Sequence, residues 1–185
     1  MSIRIIGGDL RGRRIPAPRG RTTRPTPARV REAWFSALGE SVRDSLVLDL
    51  YAGTGALGIE ALSRGAREAT FVEQDAAISR ALRRTVEDLG LSQRCTIRRE
   101  SVQTFLARLS RTASDFDIVL ADPPYGTGAA VALADRFRSD PFASILCIEH
   151  EPDVLGEVDG QWQRRYGDTA LSFVFAEPHE VGNGL

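Results

Sequence analysis

Residues 46–62 of the chain, LVLDLYAGTGALGIEAL, indicate the class of fold. This stretch begins as an apolar run typical of a buried strand, and Gly53, Gly55 and Gly58 follow in the spacing G-x-G-x-x-G before a helical pattern begins. In a doubly wound sheet such a turn lets a ligand approach the backbone at a helix N-terminus, beyond the carboxyl ends of the strands. The glycine spacing alone is a weak signal, so its meaning depends on the residues around it.

Downstream of this stretch, strand-like and helix-like segments alternate. The strand-like segments read LVLDLY, ATFVEQ, CTIRRE, FDIVLA and SILCIEH, and the helical patterns lie near residues 55–64, 76–89, 101–111 and 128–138. This alternation predicts an α/β fold with a doubly wound, mostly parallel, Rossmann-like sheet and helices on both faces. The later segment QWQRRYGDTALSFVFA predicts an antiparallel hairpin at one edge of the sheet. We expect residues 1–185 to form a single domain.

The composition excludes several classes of protein. With 42% hydrophobic and 26% charged residues, the chain resembles an ordinary soluble protein. Because residues 1–20 lack an apolar core and no run approaches eighteen apolar residues, we expect neither secretion nor membrane spanning. Cys95 and Cys147 stand singly in apolar runs, which favours reduced structural thiols in a cytoplasmic protein and no metal site.

The charge is divided between the N-terminal segment and the rest of the chain. Residues 1–31 hold nine arginines and one acid, Asp9, so this segment carries +8; the net charge of −1 then leaves −9 for the remainder. We interpret residues 1–25 as a basic arm or hairpin for a polyanion. Residues 26–39 predict a helix with Thr26 as N-cap and Pro27 in its first turn. Trp34 on its apolar face is predicted to be core, and Arg24, Arg29 and Arg31 are predicted to lie outside or beside that face.

Two acids near the glycine loop narrow the choice of ligand. Glu73 ends the second strand-like segment twenty residues after Gly53, where an acid is expected to accept hydrogen bonds from ribose hydroxyls. Asp49 precedes the loop and would repel a pyrophosphate but suit an ammonium or sulfonium group. S-adenosylmethionine carries both cations and a ribose but no phosphate, so the charges favour it over NAD. Asp49 is alternatively a structural acid that bonds the backbone.

A second motif, Asp122-Pro123-Pro124-Tyr125, ends the strand-like run FDIVLA. Prolines cannot donate to a ladder, but their carbonyls accept hydrogen bonds from a fixed position. A carboxylate and a carbonyl that accept both N–H bonds of an exocyclic amine would favour tetrahedral nitrogen, as in the transition state of alkylation. Tyr125 would stack on a flipped base. The motif therefore predicts a site for a nucleobase amine, with a tight turn around a buried tyrosine as the alternative.

These segments together resemble a known family. VLDLYAGTGALGIEALSRGA, FVEQD and DPPY are similar to class I S-adenosylmethionine-dependent methyltransferases that act on exocyclic or amide nitrogens. The lead-in RGRRIPAP followed by RPTPARVREAWF is the narrower signal. With it, the chain resembles the bacterial 16S ribosomal RNA guanine-N2 methyltransferases that modify guanine 966. The resemblance implies a methyltransferase sheet, S-adenosylmethionine as cofactor, and 16S ribosomal RNA or the small-subunit particle as partner of a cytoplasmic monomer.

The resemblance also implies roles for individual residues. The segment from Asp49 to Gly55 would hold the methionine moiety, Glu73 the ribose, and the turn after the third strand the adenine. The target amine and base would contact Asp122, Pro123 and Tyr125. The full set of implied cofactor residues is Asp49, Ala52, Gly53, Gly55, Glu73, Glu100 and Ser101. The implied RNA-binding residues are Arg11, Arg13, Arg14, Arg24 and Arg29.

Three alternatives remain open from the sequence. The same amine-binding chemistry suits methylation of adenine N6 or of a protein glutamine. An NAD-dependent oxidoreductase fits the glycines but not Asp49, and neither His150 nor His179 stands in an evident proton-transfer motif. A non-catalytic RNA-binding or ribosome-assembly protein would retain the fold and bind RNA without turnover.

Overall fold

A central sheet and a separate N-terminal hairpin make up the β-structure. The computed structural model describes residues 2–16, 28–109, 116–156 and 161–176. The strands are β1 (Ser2–Arg4), β2 (Arg14–Pro16), β3 (Leu46–Leu50), β4 (Glu68–Val72), β5 (Cys95–Arg98), β6 (Phe116–Ala121), β7 (Ala143–His150), β8 (Gln161–Tyr166) and β9 (Thr169–Phe175). The seven-stranded sheet has the order β5-β4-β3-β6-β7-β9-β8, in which β3 to β7 are parallel and β9 is antiparallel to both of its neighbours. The predicted fold class and edge hairpin are confirmed.

Helices cover both faces of the sheet. They are α1 (Ala28–Leu38), α2 (Ala56–Ser63), α3 (Ala76–Asp88), α4 (Val102–Ala107) and α5 (Ala129–Ser139). Alternate strand residues point to opposite faces. Val47 therefore joins the cluster under α1, α2 and α3, whereas Leu48 joins the cluster under α4 and α5. Trp34 is fully buried, as predicted. The helix predicted near residues 101–111 is shorter than its pattern indicates, since α4 ends at Ala107 and Arg108 is its C-cap.

The N-terminal hairpin is held on α2 by a buried carboxylate. Glu60 is 0% exposed and accepts hydrogen bonds from the backbone N–H groups of Ile6 (2.8 Å) and Gly7 (2.7 Å) and from Arg64 Nε (2.9 Å). Ser63 adds a bond from the Leu10 N–H to its hydroxyl (3.0 Å). Residues 2–16 are therefore a docked part of the body, because a buried carboxylate is stabilised by the donors around it.

The prediction for Arg31 is wrong. The helical pattern placed its side chain outside or beside the apolar face of α1, but Arg31 is 3% exposed. Its guanidinium donates to the carbonyl of Arg4 (2.8 Å), which ties α1 to β1. Burial lowers the pKa of Arg31, while the negative charge of Glu60 opposes that shift. The predicted N-cap Thr26, together with Pro27, lies outside the described residues.

Candidate active site

The site lies where the order of the parallel strands reverses. β3 is flanked on one side by β4, the next strand along the chain, and on the other side by β6, which the chain reaches from β5. Leu50 pairs with both Val72 and Ala121, which aligns the last residues of the three strands. The glycine loop, Glu73 and Asp122 therefore follow neighbouring strand ends. Ligands of doubly wound sheets bind at this switch point.

The glycine loop is fixed by backbone hydrogen bonds. The Ala52 N–H donates to the carbonyl of Val72 (3.0 Å), and the Gly55 N–H donates to the carbonyl of Ala52 (2.7 Å). Gly55 occupies the N-cap of α2 with φ of 77°, a left-handed conformation in which glycine avoids a Cβ clash. Tyr51, at the start of the loop, has φ of 59°. A bulky residue in this region is strained, and such strain concentrates at functional sites.

Asp49 is buried and holds the first turn of α2, which directly follows the glycine loop. It is 1% exposed, and its Oδ2 accepts a hydrogen bond from the Gly58 N–H in the first turn of α2 (2.8 Å). Burial raises the pKa of Asp49 well above its usual range; the Gly58 bond opposes this, and the negative charges of Asp122 and Glu73 add to it. The backbone contact is the structural alternative that the sequence left open for Asp49.

Glu73 joins the loop to the end of β4. Its Oε2 accepts from the Gly53 N–H (3.0 Å) and its Oε1 from the Asp75 N–H (2.7 Å). A carboxylate has about four acceptor positions, so these two bonds leave capacity for further donors. The prediction that Glu73 binds ribose hydroxyls is compatible with this arrangement and stays a prediction.

The turn after β5 carries the two residues implied for the adenine. The Glu100 carboxylate is paired with Arg108. Ser101 is the N-cap of α4, and its hydroxyl accepts from the Thr104 N–H (3.1 Å). Both side chains thus have structural partners, and their adenine contacts stay a prediction.

The second motif forms a short, rigid turn after β6. Asp122 is partly buried, Pro123 is buried and Pro124 is exposed. The Thr127 hydroxyl donates to the Pro124 carbonyl (2.7 Å). Tyr125 is 43% exposed, which contradicts the alternative of a buried tyrosine in a tight turn. An exposed aromatic ring beside Asp122 provides a surface for a planar ligand.

Two residues far along the chain hold the hydroxyl of Tyr125. It lies 2.9 Å from Thr169 Oγ1 and donates to Glu149 Oε1 (3.3 Å). Burial of this end of the side chain, with the negative charges of Glu149 and Asp122, raises the pKa of Tyr125 to about 12. No motif in the sequence indicates Glu149 or Thr169, because each stands in an apolar strand-like run.

The predicted RNA-binding arginines are only partly brought together. Arg11, Arg13 and Arg14 are exposed on the N-terminal hairpin, and Arg13 Nη2 donates to the Asp88 carbonyl at the end of α3 (3.1 Å). Arg29 is exposed at the start of α1. Arg24 lies outside the described residues.

Other classes of site find little support in the described residues. Within residues 2–16, 28–109, 116–156 and 161–176, no group of three or more His, Cys, Asp and Glu side chains is placed to hold a metal ion. In the same part of the chain, no helix has the length and apolarity needed to cross a membrane. Cys95 and Cys147 are free thiols, as predicted.

The chain matches a known family and is similar to solved structures. The family described as conserved hypothetical protein 95 matches residues 3–174, and the chain belongs to it. The ribosomal RNA small subunit methyltransferase D of Escherichia coli strain K12 is 41% identical over 126 residues, which cover 68% of this chain. The match spans 62% of that relative's length. The family resemblance inferred from the sequence is confirmed.

Two solved structures share the fold. An Escherichia coli structure, described as a proposed methyltransferase, has a TM-score of 0.82 and 32% identity and covers 97% of this chain and 100% of its own. The Thermus thermophilus 16S rRNA N2 G1207 methyltransferase, solved with AdoMet and guanosine, has a TM-score of 0.69 and 25% identity. That match covers 96% of this chain and 50% of the other chain.

Proposed function

We propose that the protein transfers a methyl group from S-adenosylmethionine to the exocyclic N2 amine of a guanine in 16S ribosomal RNA. The observation that carries this proposal is the meeting of two motifs at the switch point: the glycine loop after β3 and Asp122-Pro123-Pro124-Tyr125 after β6. One suits a nucleoside cofactor and the other a nucleobase amine. The family relatives named as small-subunit methyltransferases support the RNA class. The protein would act as a cytoplasmic monomer on free RNA or on the small-subunit particle.

The charges at the site fit this cofactor. Asp122 and Glu73 both act on the buried Asp49, so three carboxylates share one edge of the sheet. Such an arrangement attracts a cation and repels a pyrophosphate, which favours S-adenosylmethionine over NAD. Glu73 would hold the ribose, and Glu100 with Ser101 would border the adenine. Residues 49–55 would hold the methionine moiety, Asp49 acting through the backbone of α2. The cofactor supplies an electrophilic methyl group on sulfur.

The second motif would prepare the amine. Asp122 and the Pro123 carbonyl accept its two N–H bonds, which withdraws the nitrogen lone pair from conjugation and directs it toward the methyl group. The Pro124 carbonyl accepts a hydrogen bond from the Thr127 hydroxyl, which helps to hold this turn in place. Methylation of this nitrogen would displace one amine proton, which Asp122 or water would accept. Tyr125 stacks on the flipped base and keeps the nitrogen in line.

Labelled methyl transfer tests this function. Purified protein is incubated with labelled S-adenosylmethionine and small-subunit particles, or naked 16S RNA, from cells that lack it, and the RNA is digested for nucleoside mass analysis. We expect the label in N2-methylguanosine. Label in N6-methyladenosine or in a protein would select the corresponding alternative, and RNA binding without transfer would favour the assembly protein.

The hairpin arginines are expected to hold RNA phosphates. Replacing Arg11, Arg13 and Arg14 together with glutamine should weaken RNA binding and flatten its salt dependence, because each lost phosphate contact removes about 0.7–0.9 from the slope of log K against log salt. Binding is measured by fluorescence anisotropy at several salt concentrations. Arg43→Gln is the control, since that exposed side chain pairs with Glu40. An unchanged slope in the triple variant would remove these arginines from the interface.

A further inference from the structure

The turn that carries Tyr125 is held by strands from the far end of the chain. β9 runs antiparallel to β7, and Ala170 pairs with His150, so β9 begins where β7 ends. Ile148 also pairs with Ala121, which brings Glu149 beside the start of the Asp122 motif. The C-terminal hairpin thus borders the same edge of the sheet as the candidate active site.

Three side chains fasten this turn. Glu151 Oε2 accepts from the Gly126 N–H (3.2 Å). Glu149, only 4% exposed, accepts from the Tyr125 hydroxyl. Thr169 Oγ1 lies 2.9 Å from the same hydroxyl. Because a carboxylate only accepts, Tyr125 donates to Glu149, and its oxygen is left to accept from the Thr169 hydroxyl.

We infer that Thr169 is a positioning residue for the reaction, which together with the buried Glu149 fixes the ring of Tyr125 for stacking on the target base. This inference rests on the proposed function. A tyrosine held at its hydroxyl keeps one ring orientation while its face stays open to a ligand. An unheld ring would lose rotamer freedom each time a base stacks on it, so the two bonds reduce the cost of binding and alignment. The C-terminal hairpin is then part of the active site.

A double-mutant cycle tests the inference. Thr169→Val removes the hydroxyl at nearly constant volume, and Tyr125→Phe removes its partner. We expect Thr169→Val to lower kcat/KM for RNA about threefold to tenfold, the range for one lost hydrogen bond, with KM for S-adenosylmethionine unchanged. In the Tyr125→Phe background the same change should have no further effect, since neighbouring partners are not additive. Thr169→Ser keeps the hydroxyl and should restore activity.

A readout without turnover separates this inference from the proposed function. The chain has three tyrosines, Tyr51, Tyr125 and Tyr166, so ring-labelled tyrosine gives few NMR signals, and Tyr125→Phe assigns one of them. Thr169→Val should shift and broaden the Tyr125 signal and leave Tyr51 unchanged, whereas Thr169→Ser should not. Additive losses in the cycle, or a Tyr125 signal insensitive to Thr169→Val, would overturn the inference. A wild-type protein that fails to methylate RNA would overturn the proposed function, and the NMR result would still decide the contact.

Discussion

Replacing Asp122 with alanine is expected to lower kcat for methyl transfer roughly a hundredfold to a thousandfold. The change removes the carboxylate that accepts a hydrogen bond from the amine while the amine nitrogen becomes tetrahedral. Removing a group that acts mainly in the transition state has an effect of this size. Cofactor affinity, measured by calorimetry, should fall far less than kcat, because Asp122 is only one of three carboxylates at this edge, and Glu73 and the glycine loop stay in place. The loss should therefore appear in single-turnover rates with saturating cofactor.

Two further variants sharpen the result. Asp122→Asn keeps one acceptor oxygen but presents N–H donors toward the amine, so its rate should lie between those of the wild type and the alanine variant. Asp135→Ala is the matched control: this exposed residue on α5 pairs with Arg138, and an exposed ion pair contributes little to stability. An alanine variant at Asp122 that turned over at the wild-type rate would exclude its proposed role.

The periodicity of the sequence was sufficient to predict the strands of the central parallel sheet. The predicted strand FDIVLA coincides with β6, and the other four parallel strands differ from their predictions by one or two residues at their ends. Continuous apolar runs report burial on both faces of a parallel sheet, and this signal is local. The ends depend on hydrogen bonds to neighbours, which explains why α4 ends earlier than its pattern suggested.

Contacts between segments far apart in the chain could not be predicted from the sequence. Glu60 occurs within a helical pattern, and nothing local indicates that it accepts from Ile6 and Gly7, more than fifty residues earlier. Arg31 was misplaced for the same reason, because its partner is a backbone carbonyl of β1. Charged residues are expected at the surface unless a partner is known, and both partners belong to tertiary structure.

In the candidate active site, too, the local motifs were predictable from the sequence and the long-range contacts were not. The glycine loop and the DPPY motif are short, and their positions at strand ends followed from the alternation of elements. The support of Tyr125 comes from residues 24 and 44 positions further along the chain. For Asp49 the sequence left two roles open, and only the coordinates show that its carboxylate bonds Gly58. Motifs thus indicate which groups meet a ligand, whereas the residues that hold those groups require the fold.

The glycine at position 58 gives the second large expected effect. A Cβ there would lie 2.4 Å from Cε1 of the fully buried Phe71 and 3.0 Å from Asp49 Oδ2. Both side chains are buried, Phe71 at 0% and Asp49 at 1% exposure, so the clash falls in the core. We therefore expect Gly58→Ala to lower the free energy of unfolding by about 1–3 kcal/mol, the usual cost of overpacking a core.

The same change should weaken cofactor binding. A shift of α2 away from Phe71 would lengthen the bond from the Gly58 N–H to Asp49 and displace the glycine loop. The cofactor Kd should therefore rise about tenfold, which corresponds to a loss of about 1.4 kcal/mol of binding free energy. Urea unfolding and calorimetry measure the two effects. Gly156→Ala is the control, because a Cβ at that position meets no atom of the described residues within 4 Å. A Gly58→Ala protein with wild-type stability and cofactor affinity would show that the helix is free to move, and that the contact between Asp49 and the loop does not shape the cofactor site.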